Sequence, residues 1–252
     1  MAPVEVSAAA FAAAAEEAVR RVAAEQAAGV AEAAKLVVEG LRAGGVVQAF
    51  GTGHSQALAM EIAGRAGGLV PTNMIALRDL VLLGGDPPDV LYSEHLERDP
   101  AVARRLYELN APHPADVFVM ASNSGGNGSV VELAQMVKER GHQLIAITSM
   151  AHTTRVTSRH PSGKRLFEIA DVVLDNGAPY GDAMLTAGDI QVCAISSITA
   201  ALLAQMIVAE VVRTMVDADE TPPVYISANV PEGDVHNDAL EARYAGRIRR
   251  PA

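Results

Sequence analysis

The sequence predicts an α/β protein, a five-stranded parallel sheet flanked by helices, with a helical arm in front of it. Three observations predict this. Short, uninterrupted apolar runs alternate with helix-forming stretches: VVQAF (46–50), MIAL (74–77), DVFVM (116–120), LIAIT (144–148) and DVVLD (171–175). Strands that are apolar at every position suit a parallel sheet covered on both faces. Two of these runs open into polar, glycine-rich turns, GTGHS (51–55) and ASNSGGNGS (121–129), each leading into a helix. That order places both turns at carboxyl ends of strands, where sheets of this class bind ligands.

The arm covers residues 1–45. Ser7 is a fitting N-cap, Ala, Glu, Arg and Leu fill the body, Gly29 divides it into two helices, and Gly44-Gly45 ends it. Its small-apolar face exceeds what one chain needs and suggests a second subunit. The sheet domain follows over residues 46–216. A helix is expected from the first glycine turn to about Ala66, another over Pro100–Asn110, and another entered at Ser129. Residues 84–100 read as an insertion shaped to cover something. The run Asp189–Val216 reads as one long buried core helix, because Gln191, Ser196, Ser197, Thr199, Gln205, Glu210 and Arg213 interrupt it too often for a membrane span. A tail, 217–252, is expected to complete the site.

The chain has 252 residues, half of them hydrophobic, and a net charge of −10. That charge argues against a nucleic-acid partner, while a small anion needs only local donors. The one cysteine, Cys193, excludes a disulfide framework and is read as a small buried hydrophobe, in keeping with a cytoplasmic protein. No signal peptide opens the sequence. No His, Cys or carboxylate cluster has metal-ligand spacing, so neither metal nor cofactor is expected.

In the second glycine turn, Ser122, Asn123, Ser124, Asn127 and Ser129 supply polar side chains, and three glycines let the backbone approach a ligand. A helix N-terminus there favours an anion, and phosphate is the reading. Ser129 with Glu132 also fits a plain capping box. No lysine follows as in a nucleotide P-loop, and Gln56 stands where a dinucleotide fingerprint needs its third glycine. With Gly53, His54 and Ser55 in the first turn, the ligand is read as compact, hydroxylated and phosphorylated: a sugar phosphate. Glu61 is either half of a surface pair with Arg65 or a carboxylate with a purpose in an apolar helix. His54 and His236 are candidates for proton transfer or hydrogen bonding.

These motifs, VVQAFGTGHSQALAMEIAGRAGG, ADVFVMASNSGGNGSVVELAQMVKERGHQLIAIT and ADVVLDNG, resemble the sugar isomerase (SIS) domain in order and separation. The likeness runs over roughly residues 35–215, and S-x-S-G is its most specific part. It is nearest to single-domain SIS proteins of this length, and more distant from N-acetylmuramic acid 6-phosphate etherase and phosphoheptose isomerase. The resemblance implies a flavodoxin-like sandwich, a homodimer or homotetramer, and a phosphate clamp at Ser122, Ser124 and Asn127 with Ser55 nearby. It further implies Glu61 as the catalytic base and a later histidine, for which His236 is the candidate. The amino-sugar isomerases of the family use a tail lysine, whereas here the lysines are Lys35, Lys138 and Lys164. The expected chemistry is removal of the carbon 2 proton of a sugar phosphate. Elimination on an N-acetylhexosamine 6-phosphate is favoured, aldose–ketose isomerisation is the alternative, and a non-catalytic sugar-phosphate sensor is the third reading.

Overall fold

The computed structural model describes residues 6–250, so the outermost residues of the expected arm and tail lie outside the described residues. The chain opens with two helices, α1 (Ala8–Glu25) and α2 (Ala27–Arg42). Ser7 caps α1, its hydroxyl accepting from the Ala10 amide at 3.1 Å. The break falls at Gln26, not at Gly29. Gly29 sits inside α2, where a Cβ would lie 2.7 Å from Leu174 Cδ2. Its role is to let the helix close on the sheet.

The sheet contains β1 (Val47–Gly51), β2 (Thr72–Ile75), β3 (Val117–Ala121), β4 (Gln143–Thr148) and β5 (Val172–Asp175). It is parallel throughout and ordered β2-β1-β3-β4-β5. The first half of the chain therefore turns back at β1, and the β1/β3 boundary is the switch point at which α/β sheets open a crevice. Strand β2 starts two residues before the apolar run because Thr72 and Asn73 pair with Val47 and Gln48.

Alternation along each strand splits the core in two. Val47, Ala49, Val117, Val119, Ile145 and Ile147 face one cluster, packed by α2, by α3 (Gln56–Ile62) and by α8 (Ser196–Val216). Phe50, Phe118, Met120, Leu144 and Ala146 face the other, packed by α5 (Ala101–Asn110) and α6 (Gly128–Glu139). Short helices α4 (Asp79–Leu82) and α7 (Met150–Thr153) follow β2 and β4.

The expected helix from Asp189 begins only at Ser196. Residues 183–194 form an antiparallel hairpin, β6 (Ala183–Ala187) and β7 (Ile190–Ala194). Its Gly188-Asp189 tip, with Gly188 at φ 61°, is a hairpin turn in sequence terms too. Cys193 lies on β7 and is exposed, not buried, with φ 68°. Helix α8 is long and apolar enough by composition to cross a membrane. Here Thr199, Leu203, Ala204, Ile207 and Val211 are buried on the sheet side. Its outward residues Ile198, Leu202, Gln205, Ala209, Val212 and Val216 stay exposed or half-buried, spaced alternately four and three apart.

The tail packs at the amino end of the sheet. Val224 bridges Leu69, helix α9 (Gly233–Arg243) seats Leu240 near Val70 and Tyr225, and the Arg247 guanidinium reaches Asp116 Oδ1 at 2.6 Å. Asp116 is buried and also accepts from Val46 N, Gln48 Nε2 and His113 N. Arg250 donates to the Thr72 carbonyl, covering backbone at the edge strand β2.

Candidate functional site

The β1–α3 turn is built on two glycines. A Cβ on Gly51 would run into the Ser55 carbonyl, and Gly53 takes φ 54°. Residues Gly53–Ser55 make one tight helical turn, closed by Ser55 N donating to Thr52 O at 3.1 Å. The turn presents His54 and Ser55 to a cleft at the carboxyl ends of β1, β3 and β4.

The β3–α6 loop faces the same cleft, and its carbonyls are held elsewhere. Thr148 Oγ1 donates to Ser122 O at 2.7 Å and approaches Asn123 O at 3.3 Å. Thr153 Oγ1 donates to Ser124 O at 2.7 Å. The Leu166 and Arg159 amides donate to Gly125 O and Gly126 O, each at 2.8 Å. Five consecutive acceptors are thus occupied by groups from β4, α7 and the segment behind them. The amides of Asn127, Gly128, Ser129 and Val130, in the first turn of α6, have no acceptor among the described residues. A helix start with free amides and its carbonyls tied back is a site for an anion.

Two amide side chains are oriented by their partners. Asn123 Oδ1 accepts from Asn176 Nδ2 at 2.7 Å, and Asn127 Oδ1 accepts from Arg159 Nη1 at 3.1 Å. Each therefore keeps its own NH2 as a donor. Ser122 Oγ accepts from Gly125 N at 3.1 Å, which leaves its proton free to donate.

The cleft, about 440 Å³, is lined by Thr52, Gly53, His54, Ser55, Ser122, Asn123, Ser124 and Asn127, together with Glu97, His152, Asp182, Ala194, Ser196 and Ser197. Seven of the sequence-predicted residues meet there. Ser129 does not: it is fully buried, and its Oγ donates to the Glu97 carbonyl at 2.7 Å. Nor does it form a capping box, since the N-cap is Asn127 and Glu132 instead pairs with His160 Nε2 at 2.8 Å. Glu61 lies on α3 outside the cleft, ion-paired with Arg65 and accepting from Gln205 Nε2 at 2.7 Å. His236 lies on α9 at the opposite end of the sheet, donating to Val224 O at 3.0 Å. The tail as a whole therefore does not complete this chain's own cleft.

Besides Thr52, which sits inside the first glycine turn, sequence reasoning missed five polar lining residues. Glu97 comes from the segment noted as an insertion. His152 follows β4, a third strand end without a glycine turn to signal it. Its Nδ1 accepts from Gly181 N at 3.1 Å, so the neutral ring carries its proton on Nε2. Asp182, Ser196 and Ser197 were hidden because β7 was read as the start of the long helix and β6 as the connection before it. Asp182 caps α8, accepting from Ser196 N at 2.8 Å and Ser196 Oγ at 2.6 Å. Among the described residues no group of three or more potential metal ligands occurs.

An amide-lined, lysine-free anion cradle at the switch point of a 2-1-3-4-5 parallel sheet defines the class. Residues 10–149, more than half of the chain, match the family model for the SIS domain. The chain belongs to the SIS domain family. It is 41% identical over 225 residues to the UPF0309 protein lmo0025 of Listeria monocytogenes, covering 88% of this chain and 91% of that one. It is 40% identical over 217 residues to the UPF0309 protein BH3325 of Halalkalibacterium halodurans, covering 85% and 88%. Among solved structures it shares its fold with phosphoheptose isomerase GmhA from Neisseria gonorrhoeae, at 20% identity and a TM-score of 0.52, over 80% of this chain and 95% of that chain. The Vibrio vulnificus NanR protein complexed with ManNAc-6P is similar at 15% identity and a TM-score of 0.50, over 95% of this chain and 69% of that one.

Proposed function

We propose that this protein is a sugar-phosphate enzyme that removes the proton on carbon 2 of its substrate. The observation that carries the reading is the β3–α6 loop, whose carbonyls 122–126 are tied back while the α6 amides stay free. A phosphate held there leaves the rest of a sugar along the cleft, among His54, Ser55, Asn123, His152 and Ser197. Fixing the distant phosphate supplies binding energy that orients carbon 2.

Elimination on an N-acetylhexosamine 6-phosphate is our reading of the reaction. An N-acetyl group at carbon 2 disfavours the shift to a ketose and makes loss of the carbon 3 substituent the natural exit. That a fold relative is complexed with ManNAc-6P supports this substrate class. The enzyme works as a homo-oligomer in this reading, supported by the outward stripe of α8, whose alternating four- and three-residue spacing is that of a helix-pairing seam.

The test is proton NMR in deuterated water with a panel of hexose and N-acetylhexosamine 6-phosphates. Exchange at carbon 2 with an unsaturated product supports elimination, and a ketose product replaces it with isomerisation. Binding without exchange on every panel member replaces both with a sensor.

A further inference from the structure

We infer that Glu97 is the base that takes the carbon 2 proton, an assignment resting on the function proposed above. A carboxylate in the cleft with a free oxygen suits removal of that proton. Glu61, the residue the family resemblance implies, is outside it and engaged by Arg65 and Gln205. Asp182 is inside it, but both its oxygens accept from the first residues of α8. Glu97 is the remaining carboxylate of the lining. Its oxygens accept no hydrogen bond and join no ion pair among the described residues. Oε2 stands 3.6 Å from the point a Cβ on Gly53 would occupy, so it faces the β1–α3 turn across the cleft from the serine loop.

The position of Glu97 is fixed from behind. The buried Ser129 hydroxyl holds its carbonyl at 2.7 Å. Gly128 has no side chain because a Cβ there would enter the Arg98 carbonyl and press on Pro100. Leu96 packs against the core beneath. Two residues at the start of α6, the helix whose amides await the phosphate, therefore also seat the Glu97 backbone. Phosphate site and base ride on one element, which sets their separation.

The chemistry balances with groups present. Glu97 takes the carbon 2 proton, and the C–H electron pair becomes the C1–C2 π bond as the carbonyl pair moves onto O1. In elimination the O1 pair reforms the carbonyl, C2=C3 forms, and the C3–O bond breaks. The leaving oxygen then takes the proton Glu97 collected. In isomerisation that proton is delivered to carbon 1 instead, the C2 hydroxyl proton passes to O1, and the enediolate electron pair left on O2 closes the carbonyl at carbon 2. His152 Nε2–H and the Asn123 NH2 are donors in the same cleft for the developing oxyanion.

The experiment is carbon 2 exchange in deuterated water by wild type, Glu97→Gln, Glu97→Asp and Glu61→Gln, with binding of the exchanging sugar phosphate measured by calorimetry. Glu97→Gln should lose exchange by about 100-fold or more and bind within a few-fold of wild type. Glu97→Asp should retain slowed exchange, and Glu61→Gln should exchange as wild type. Wild-type-like exchange by Glu97→Gln, or loss confined to Glu61→Gln, overturns the assignment and leaves the sugar-phosphate reading standing. A wild type that binds panel sugars but exchanges none overturns both.

Discussion

The Ser129 hydroxyl, in the first turn of α6, donates to the backbone carbonyl of Glu97 at 2.7 Å, and Ser129 is wholly shielded from solvent. A serine read in the sequence as a phosphate ligand is thus a strut for a neighbouring segment. Replacing it by alanine leaves a part-buried carbonyl without its donor, at about 1 kcal/mol. Ser129→Ala should lower kcat while leaving sugar-phosphate affinity near wild type. A change confined to affinity would return Ser129 to the phosphate site.

The clamp on the serine loop makes a separate prediction. Thr153→Val keeps the shape of the side chain but removes the donor that holds the Ser124 carbonyl back. A carbonyl free to turn toward the cleft opposes an anion there. Affinity for a hexose 6-phosphate should fall about tenfold, equivalent to about 1.4 kcal/mol, with little change in affinity for the unphosphorylated sugar. Titration calorimetry with both ligands reads the difference.

Gly128 tolerates no side chain, because the Arg98 carbonyl occupies the space a Cβ would fill. Gly128→Ala must move backbone rather than a flexible side-chain end, and a loss of about 1–3 kcal/mol is expected. Urea unfolding should show it as a lowered midpoint at unchanged slope.

His142 gives the fold a pH dependence. Burial pushes its pKa down, outweighing the opposing pull of the hydrogen bond to the Asp116 carbonyl. Its Nδ1 donates to that carbonyl at 3.1 Å, and Nε2 accepts from the Tyr107 hydroxyl at 2.7 Å. The unfolded chain therefore binds this proton more readily than the folded one. Stability from His142 is present above the unfolded value near 6.5 and is lost as pH falls through the lower folded value. Unfolding free energies between pH 7.5 and 5 should decline less steeply in His142→Gln. Parallel slopes would remove His142 as the cause.

The outward stripe of α8 should govern assembly. Ala209→Glu puts a charge beside Gln205, Val212 and Val216 at a solvent-exposed position of the stripe. Light scattering should show a smaller particle than wild type at equal concentration, and an unchanged particle would move the interface elsewhere.

All five sheet strands left an apolar run in the sequence, set locally by burial, but in β2 only Met74 and Ile75 carried it, the strand's first half being the polar pair Thr72-Asn73. The serine loop and the first glycine turn were legible for a similar reason: Gly51 and Gly53 answer backbone requirements inside the turn itself. Glu97 and Asp182 were not. Each reaches the cleft through contacts distant in sequence, Glu97 through Ser129 and Gly128, and Asp182 through a hairpin whose apolar second strand runs straight into α8. Cys193 was misread with that hairpin. Glu61 shows the converse limit. Its i, i+4 pairing with Arg65 was visible, but which way α3 would turn it depended on α8.

The knot of side chains around Asp116 bears on how the molecule is made. Its partner Arg247 follows it by 131 residues, so on a ribosome the sheet can assemble long before that partner is synthesised. Until then the buried carboxylate has only neutral donors, and the Thr72 carbonyl lacks Arg250. Synthesis of residues 247–250 thus coincides with closure of the sheet's amino end. A transcript broken shortly before codon 247 would yield a chain with its cleft built and its underside open, a natural substrate for proteolytic clearance.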